Sequence, residues 1–342
     1  MDGFCAPISG KRFSKKRIKQ TAAGIVVDNA AAAAADSSYD GIKTVDLDLS
    51  DSTCHLCICI VTWNMNGQVR YEELKRLVGN DRNCDLLVIG LQEVPRTRNV
   101  LQMFENALHS SHLLLEEAVM QSLHLYMFGS KKCSIYVKDI KVDKQGVGGC
   151  GGLIGRKKGA VAIKITYKGI PMIFISCHLS AHGHKVGERN SEFRHLSQSL
   201  FAKNWNPQVT VWLGDLNYRL QGIQTFPARN LIGNNLHRLL TCKDQLLQEA
   251  NKGQVFNGYC EGNLSFKPTY KYNVGTSDYD TSYKVRVPAW TDRILYKVED
   301  KDVINASLHL YESLDAIHGS DHKPVKAHLC LKFNNNSCLK TR

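Results

Sequence analysis

The sequence predicts an α/β protein in which two packed sheets of mixed strands are covered by helices. Short apolar runs bounded by glycine or polar residues recur from Cys57 onwards, and such runs are typical of buried strands. Segments with helical spacing alternate with these runs. Because a sheet and a helix each bury one apolar face against another layer, this alternation favours two sheets packed together with helices outside.

The individual elements follow from the same patterns. Helical spacing predicts helices over residues 71–78, 100–120 and 187–201. Apolar runs predict strands over residues 57–63, 86–91, 160–167, 172–177, 209–213 and 324–331. After residue 257 the pattern changes to short strands and turns.

The two ends of the chain differ from its centre. Residues 1–53 contain few aromatic residues, a basic block at 11–19 and an alanine-rich stretch at 30–35, so we expect a flexible basic N-terminal segment. The block is typical of a membrane-surface contact or a nuclear address, and equally of a solvated tail. No linker interrupts the remainder, which predicts one catalytic domain over 54–335 and a short tail at 336–342.

Composition narrows the class of protein. The chain has 342 residues and a hydrophobic content of 43%, enough for one large core. No apolar stretch reaches the roughly 18 residues that cross a bilayer, and the N-terminus lacks the apolar core of a secretory signal. We therefore expect a soluble cytoplasmic protein. The net charge of +12 favours a phosphate-bearing partner, which could be nucleic acid, an anionic membrane or a phosphorylated small molecule.

The twelve cysteines do not predict a disulfide scaffold. Several of them, including Cys57, Cys59, Cys177 and Cys330, lie in apolar runs, where a thiol behaves as a small hydrophobe. This predicts reduced thiols, in keeping with an intracellular chain. Cys54 and Cys57 offer part of a zinc site, but no second pair follows at a suitable spacing.

Polar clusters lie beside five of the apolar runs, four following a run and the last just preceding one. Ligands in layered α/β folds collect where strands end, so the five clusters predict one site assembled from distant segments. The clusters are Asn64 with Asn66, Gln92 with Glu93, His178, Asp215 with Asn217, and Ser320 with Asp321 and His322.

The residue types in these clusters indicate metal-assisted chemistry on phosphate. Glu93 ends an apolar strand, where an unpaired charge is costly, and oxygen ligands from Glu, Asp and Asn suit Mg²⁺ better than zinc. Asp215 and Asn217 share one side of an extended chain, so one can take a proton from water while the other holds that water or a phosphate oxygen. His178 and His322, with His182 in second rank, can stabilise phosphate charge. Taken singly, each has a structural alternative: a salt bridge for Glu93, an Asx-turn for Asp215, a buried structural role for a histidine.

Two phosphate-binding patterns in a glycine-rich loop are judged to be coincidental. Cys150 and Arg156 match the spacing of cysteine-dependent phosphatases, and Gly146, Gly148 and Gly151 imitate a dinucleotide fingerprint. Both lack the preceding apolar strand that such motifs need. A plain loop leading into the strand at 160–167 is the preferred interpretation.

A basic and aromatic stretch offers a further grip for phosphates. Lysine, arginine and tyrosine alternate over residues 266–272 and 283–295, and such donors can bind several phosphates, although ordinary strand surface has a similar composition.

Together these segments resemble the inositol polyphosphate 5-phosphatases, within the larger group of metal-dependent exonucleases, endonucleases and phosphatases. The resemblance covers roughly residues 57–333. The matching strings are Thr-Trp-Asn-Met-Asn-Gly at 62–67, Leu-Gln-Glu at 91–93, Ser-Cys-His-Leu-Ser-Ala-His at 176–182, Glu-Arg-Asn at 188–190, the run at 212–220, Pro-Ala-Trp-Thr-Asp-Arg-Ile-Leu at 288–295 and Ser-Asp-His at 320–322. The small, single-domain layout resembles plant members. Residues 155–159 depart from the Gly-Asn-Lys-Gly that is common in relatives, being longer and more basic.

The resemblance implies a four-layer α/β/β/α sandwich of the DNase I-like type and removal of a 5-phosphate by direct water attack. It implies that Glu93 binds Mg²⁺ with Asn64 and Asp321 close by, that Asp215 activates water, that Asn217 positions the water or the phosphate, and that His322, oriented by Asp292, and His178 contact the phosphate. The implied substrate contacts are Arg189 and Asn190 at the site, and Tyr270, Lys271, Lys284 and Arg286 at a 4-phosphate.

The expected substrate is a phosphoinositide, chiefly PtdIns(4,5)P2 and also PtdIns(3,4,5)P3, reached by peripheral contact with an anionic membrane. Alternatives are a phosphatase of soluble inositol phosphates, a nuclease of the same fold and a catalytically silent phosphoinositide-binding module. The implied 4-phosphate grip argues against the nuclease, so no nucleic-acid partner is expected.

Overall fold

The computed structural model describes residues 41–48, 54–79, 83–96, 99–147, 158–201 and 206–334, all within the compact unit that spans residues 39–342. The strands of these residues are β1 (Lys43–Val45), β2 (Leu56–Asn64), β3 (Leu86–Gln92), β4 (His112–Met120), β5 (Leu123–Ser130), β6 (Val137–Gly146), β7 (Gly159–Tyr167), β8 (Ile170–His178), β9 (Val209–Asp215), β10 (Cys260–Gly262), β11 (Asp292–Val298), β12 (Ile304–Ser313) and β13 (Val325–Phe333). The α-helices are α1 (Tyr71–Val78), α2 (Val100–Leu108), α3 (Lys131–Ser134), α4 (Val186–Ser199), α5 (Thr225–Gly233) and α6 (Gln245–Asn251), and a 3-10 helix spans His237–Lys243.

The strands form two mixed sheets. One has seven strands in the order β1-β10-β11-β9-β8-β7-β6, and the other has six in the order β12-β13-β2-β3-β5-β4. One parallel pair lies at the centre of each sheet, β8 with β9 and β2 with β3. The other neighbouring strands are antiparallel, except β1 and β10 at the edge of the seven-stranded sheet. The predicted mixed sheets are therefore confirmed.

Three apolar clusters define the layers. The largest cluster contains side chains of both sheets, including Ile60 and Val88 on one and Phe174 and Val211 on the other, and so fills the space between them. A second cluster joins the seven-stranded sheet to α4 and α6, and a third joins the six-stranded sheet to α1 and α2. Burial of these faces, at roughly 25 cal/mol per Å² of apolar surface, drives the layered packing, and the order helix, sheet, sheet, helix is the predicted four-layer sandwich.

Strand register brings the polar strand ends together. His178 at the end of β8 pairs with Asp215 at the end of β9, and Asp215 pairs with Asp292 at the start of β11. In the other sheet, Asn64 at the end of β2 pairs with Gln92 at the end of β3. Gly214 allows the close approach of β8 and β9, because a Cβ at its φ of 145° would collide with the carbonyl of Cys177. Both sheets thus present polar ends at one edge of the sandwich.

The helix predicted over residues 100–120 is wrong in its second half. The structure ends α2 at Leu108 and continues as β4, which pairs with β5 in antiparallel register from His112 to Met120. Tertiary pairing overrides the local spacing here, because the β5 ladder satisfies backbone groups that a helix would have satisfied internally. The helices predicted at 71–78 and 187–201 are confirmed by α1 and α4.

Part of the predicted flexible N-terminal segment belongs to the fold. Lys43–Val45 form β1 and pair in parallel with β10, so the folded domain begins before residue 54. The basic block at 11–19, most of the glycine-rich loop with Cys150 and Arg156, and the tail at 336–342 lie outside the described residues. No helix among the described residues is long and apolar enough to span a membrane.

The prediction of a reduced Cys330 is also wrong. Its sulfur is joined to Cys54 in a disulfide, with 5.6 Å between the two Cα atoms. The backbone explains the proximity, because the amide of His55 donates to the carbonyl of Leu331 and so lays Cys54 against β13. Cys59 and Cys177 are buried in β2 and β8, as their apolar runs predicted.

Candidate active site

Asp215 is the centre of the site. Its Oδ2 accepts a hydrogen bond of 3.0 Å from Nδ2 of Asn64 and lies 3.2 Å from Nε2 of His178, while its Oδ1 accepts from the amide of Asn217 at 3.0 Å. Burial raises the pKa of this carboxyl, but the hydrogen bond of His178, with the charges of His322 and Lys158, outweighs burial and holds the pKa well below its ordinary value. Asp215 is therefore ionised throughout the physiological range.

A cationic side chain borders His178 on the side of the cleft. Nζ of Lys158 contacts Nε2 of His178, and Oε1 of Glu93 lies 3.9 Å from the same nitrogen. Burial lowers the pKa of Lys158 although Asp215 and Glu93 oppose that shift, and burial together with the charge of Lys158 lowers the pKa of His178. His178 is thus held neutral beside an ionised Asp215.

His322 is oriented by Asp292. Nδ1 of His322 lies 2.9 Å from Oδ2 of Asp292, and the same oxygen accepts from the hydroxyls of Thr269 at 2.7 Å and Thr291 at 2.8 Å. Burial lowers the pKa of His322, but the charge and hydrogen bond of Asp292, with Asp215 and Asp321, raise it to about 9. His322 is therefore an imidazolium at neutral pH, with Nε2–H as its remaining donor.

The loop that precedes β13 is tied to the end of β2 at the site. Nε1 of Trp63 donates to the carbonyl of His322 at 3.1 Å, and the hydroxyl of Ser320 donates to the carbonyl of Asn64 at 2.6 Å. Buried bonds of this kind fix the loop that carries His322 against the end of β2.

The residues fit a hard divalent cation, although the grouping differs from the predicted set. Among the described residues, atoms of Asp215, Asp292 and His322 lie within 4.8 Å of one another, and the two carboxylates, not the protonated imidazole, offer ligands to a cation. Oδ1 of Asp292 is buried without a hydrogen-bond partner. Glu93 is held at a positive φ of 53° at the end of β3, with its side chain 35% exposed. Oxygen donors of this type suit Mg²⁺ or Ca²⁺.

Asp321 is a less suitable metal ligand in this structure than its motif predicts. Its Oδ2 accepts from Nζ of Lys271 at 2.7 Å, and the two form an ion pair. The carboxylate charge of Asp321 is therefore already compensated by Lys271. Burial alone would lower the pKa of Lys271, but the hydrogen bond and charge of Asp321 raise it.

A cavity of about 220 Å³ adjoins the catalytic cluster. Tyr270 and Arg286, both predicted to bind a 4-phosphate, line it together with His182 and Arg219. The Tyr270 ring packs on the His322 ring with 4.5 Å between centroids, which places the cavity beside the catalytic imidazole. Lys284 is exposed, with Nζ 5.3 Å from the centre of the Tyr283 ring.

The predicted substrate contacts of Arg189 and Asn190 are not supported. Arg189 is completely buried, and its guanidinium donates to the carbonyls of Ser180 and His182 and to Gln245. The Asn190 amide donates to Glu249 and accepts from the Tyr218 hydroxyl. Arg189 therefore positions the loop at 180–183 with its two Nη atoms, and Asn190 joins the Tyr218 hydroxyl to Glu249, so both side chains are engaged inside the protein.

Sequence analysis missed four residues that the structure adds to the site: Lys158, Arg219, Thr269 and Thr291. Arg219 follows Asn217 by two positions in the run at 212–220, so its place in that motif was the available signal. Lys158 was noted only as part of a basic loop. Thr291 directly precedes Asp292 in the string at 288–295, so its place beside Asp292 was the available signal. Thr269 carries no local signal, since its contact with Asp292 depends on pairing between distant segments.

The chain matches known proteins over the same span. Residues 61–328 match "Endonuclease/Exonuclease/phosphatase family 2". The chain is 58% identical over 304 residues to type IV inositol polyphosphate 5-phosphatase 11 of Arabidopsis thaliana, covering 88% of this chain and 91% of that protein. It is 32% identical over 312 residues to phosphatidylinositol 4,5-bisphosphate 5-phosphatase A of Mus musculus, covering 81% of this chain and 31% of that protein.

A solved structure shares the architecture. The inositol polyphosphate 5-phosphatase domain of SPsynaptojanin, in complex with inositol (1,4)-bisphosphate and calcium ion, matches with a TM-score of 0.71 and 28% identity, covering 83% of this chain and 87% of that chain. The predicted DNase I-like sandwich is thereby confirmed.

Fold, site and similarity together define a phosphoric monoester hydrolase of the endonuclease/exonuclease/phosphatase type. Within that class, the chain belongs to the inositol polyphosphate 5-phosphatase family.

Proposed function

We propose that this phosphatase hydrolyses the 5-phosphate of phosphoinositides, chiefly PtdIns(4,5)P2 and also PtdIns(3,4,5)P3, by direct attack of water with Mg²⁺ bound. One observation carries the proposal: an ionised Asp215 and a protonated His322 lie beside a cavity that Arg219 and Arg286 line. Asp215 can accept a proton from water, and His322 can donate to the reacting phosphate. The cationic cavity can hold a second phosphate next to the reacting one, so the site suits a substrate with vicinal phosphates.

The proposed mechanism divides the work among residues of both sheets. Asp215 orients the attacking water and accepts its proton, and Asn64 and Asn217 hold the Asp215 carboxylate by hydrogen bonds. His322 donates Nε2–H to a phosphate oxygen, where its charge stabilises the phosphorane-like transition state. As the bond from the water oxygen to phosphorus forms, the bond from phosphorus to the inositol oxygen at position 5 breaks, and that oxygen takes a proton from solvent and leaves as a hydroxyl.

A divalent ion would complete this site. Glu93 with Asn64, and the free oxygen of Asp292, would hold it. Mg²⁺ would supply charge neutralisation at the phosphate. Lys158, whose Nζ contacts His178, would add a donor for the same phosphate.

Exposed apolar side chains beside the cavity support a membrane-bound substrate. Phe226 is 82% exposed, Tyr283 89% and Val285 42%. The Thr225 hydroxyl donates to the Val285 carbonyl at 2.8 Å, so the first turn of α5 lies against the loop that carries the other two. With Lys284 between them, we propose that this rim contacts an anionic membrane at its cytoplasmic face.

A soluble inositol phosphate is the second candidate substrate, favoured by the inositol bisphosphate in the similar solved structure. Phosphate release tests both. Vesicles with PtdIns(4,5)P2 or PtdIns(3,4,5)P3, inositol 1,4,5-trisphosphate and oligonucleotides are each incubated with Mg²⁺ or with EDTA. We expect Mg²⁺-dependent release at position 5 and faster turnover on vesicles. Release in EDTA, or cleavage of the oligonucleotide alone, contradicts the proposal.

A further inference from the structure

Arg219 is bound on two sides by catalytic elements. Its Nε donates to the carbonyl of Asn217 at 3.2 Å, and its Nη2 donates to the side-chain oxygen of Asn217. The guanidinium carbon lies 4.2 Å from the centre of the Tyr270 ring, which itself packs on His322. One arginine therefore touches both the residue that holds Asp215 and the residue that covers His322.

The orientation of Asn217 depends on this contact. Its Nδ2 donates to the carbonyl of Leu179 at 3.0 Å, and its Oδ1 accepts from Arg219, so both ends of the amide are held. Asn217 also has a positive φ of 57°, which places its backbone amide on Asp215 at 3.0 Å. Arg219 is thus hydrogen-bonded to Asn217, which is hydrogen-bonded in turn to the Asp215 carboxylate, so a change at Arg219 can reach Asp215 through one intermediate residue.

The other side of Arg219 belongs to the cavity. Arg219 lines it with Arg286 and His182, and the described residues give Nη1 of Arg219 no hydrogen bond. The planar guanidinium can hold an anion with one edge while the opposite edge is already engaged. A phosphate in the cavity would therefore meet a donor already connected to the catalytic residues.

We propose that Arg219 is a positioning residue that couples occupancy of this cavity by a phosphate next to the scissile one to the orientation of Asn217 and Tyr270. The inference rests on the proposed function and adds to it a division of labour within the cavity. Arg286 lines the same cavity, and the hydrogen bonds among the described residues include none between it and Asn217, so it contributes affinity. Arg219 raises kcat by holding Asn217 and Tyr270 in place.

The test compares two soluble substrates, inositol 1,4,5-trisphosphate and inositol 1,5-bisphosphate, which lacks the 4-phosphate. For Arg219→Met we expect kcat on the trisphosphate to fall about 30-fold, the scale of a misplaced catalytic group, with KM changing less than about threefold. The advantage of the trisphosphate in kcat should disappear. Arg286→Met should raise KM for the trisphosphate alone, and Arg219→Lys, which keeps a charge, should recover part of kcat.

A double variant separates coupling from a structural effect. If Arg219 acts through Asn217, adding Arg219→Met to Asn217→Ala should lower kcat by less than about twofold further. Arg238→Met, at an exposed arginine of the 3-10 helix, controls for loss of charge and should behave as the parent. Additive losses, or equal losses of kcat on both substrates, overturn the coupling. Absence of 5-phosphate release by the parent instead overturns the proposed function.

Discussion

Nδ1 of His322 lies 2.9 Å from Oδ2 of Asp292, although 30 positions separate the two residues. The pair joins the loop before β13 to the first residue of β11, and two threonine hydroxyls hold the same carboxylate oxygen. Asp292 therefore fixes both the direction and the charge of the imidazole, in the manner of a carboxylate that orients a catalytic histidine.

This pair predicts a basic limb in the pH profile. Because the pKa of His322 is raised to about 9, its cationic form is complete at neutral pH and is lost as pH rises through that value. In Asp292→Asn the effect of burial prevails, so the limb in kcat/KM should move down by more than about one pH unit. Steady-state rates between pH 6 and 10 measure this, and an unmoved limb would show that His322 is not the titrating group.

The same sign holds for folding: the contribution of the pair to unfolding free energy is full below the ordinary pKa of about 6.5 and declines above it.

Asp215→Asn should abolish most of the turnover. The substitution keeps the volume of the side chain and removes the acceptor for the water proton, so kcat should fall about 10²–10⁴-fold, the usual contribution of a general base. Thermal unfolding of the variant controls for its fold. A variant with turnover within about tenfold of the parent, near 1.4 kcal/mol, would contradict the role of Asp215.

Glu93→Gln should weaken the dependence on metal without unfolding the protein. Glu93 is part exposed, and Nε2 of the neutral His178 is 3.9 Å from its carboxylate, so the change costs little packing. We expect the half-saturating Mg²⁺ concentration in phosphate release to rise at least about tenfold, since a coordinating charge is lost. Glu72→Gln, on the exposed face of α1, is the matched control. Equal Mg²⁺ dependence in parent and variant would remove Glu93 from the metal site.

The sequence predicted the site residues at the ends of strands better than it predicted the residues around them. Asp215, His178 and Asn64 could be predicted to converge because each ends an apolar run, and parallel neighbours place such ends at one edge. Arg189 and Asn190 lie in another of the matching strings, yet whether their polar groups face a cleft or the interior depends on Tyr218, Gln245 and Glu249, which are distant in sequence. The strand β4 was hidden for the same reason, because its pairing with β5 is a tertiary interaction.

A buried ion network beneath Asp292 predicts a large loss of stability. Arg293 donates to both oxygens of Glu261 at 2.6 Å and to Asp244 at 3.0 Å, with all three side chains at most 2% exposed. Arg293→Met leaves two buried carboxylates unpaired, so the free energy of unfolding should fall by about 3–5 kcal/mol. Urea denaturation measures it against Arg238→Met. A loss below about 1 kcal/mol, the range of a surface pair, would show that solvent reaches the network.

The apolar rim should govern binding to membranes but not turnover of soluble substrate. Replacing Phe226 and Tyr283 with serine removes two exposed aromatic side chains, each able to contribute roughly 1.5–3 kcal/mol on burial. We expect binding to vesicles of phosphatidylcholine and phosphatidylserine to weaken at least about tenfold, measured by flotation, while kcat/KM on inositol 1,4,5-trisphosphate stays within about twofold. Ile135→Ser is the matched control, because Ile135 is 67% exposed and precedes Tyr136, which packs on Tyr167 at the end of β7 opposite to the site. If both variants bind vesicles as the parent does, the membrane contact lies outside this rim, and the basic block at 11–19 becomes the segment to delete next.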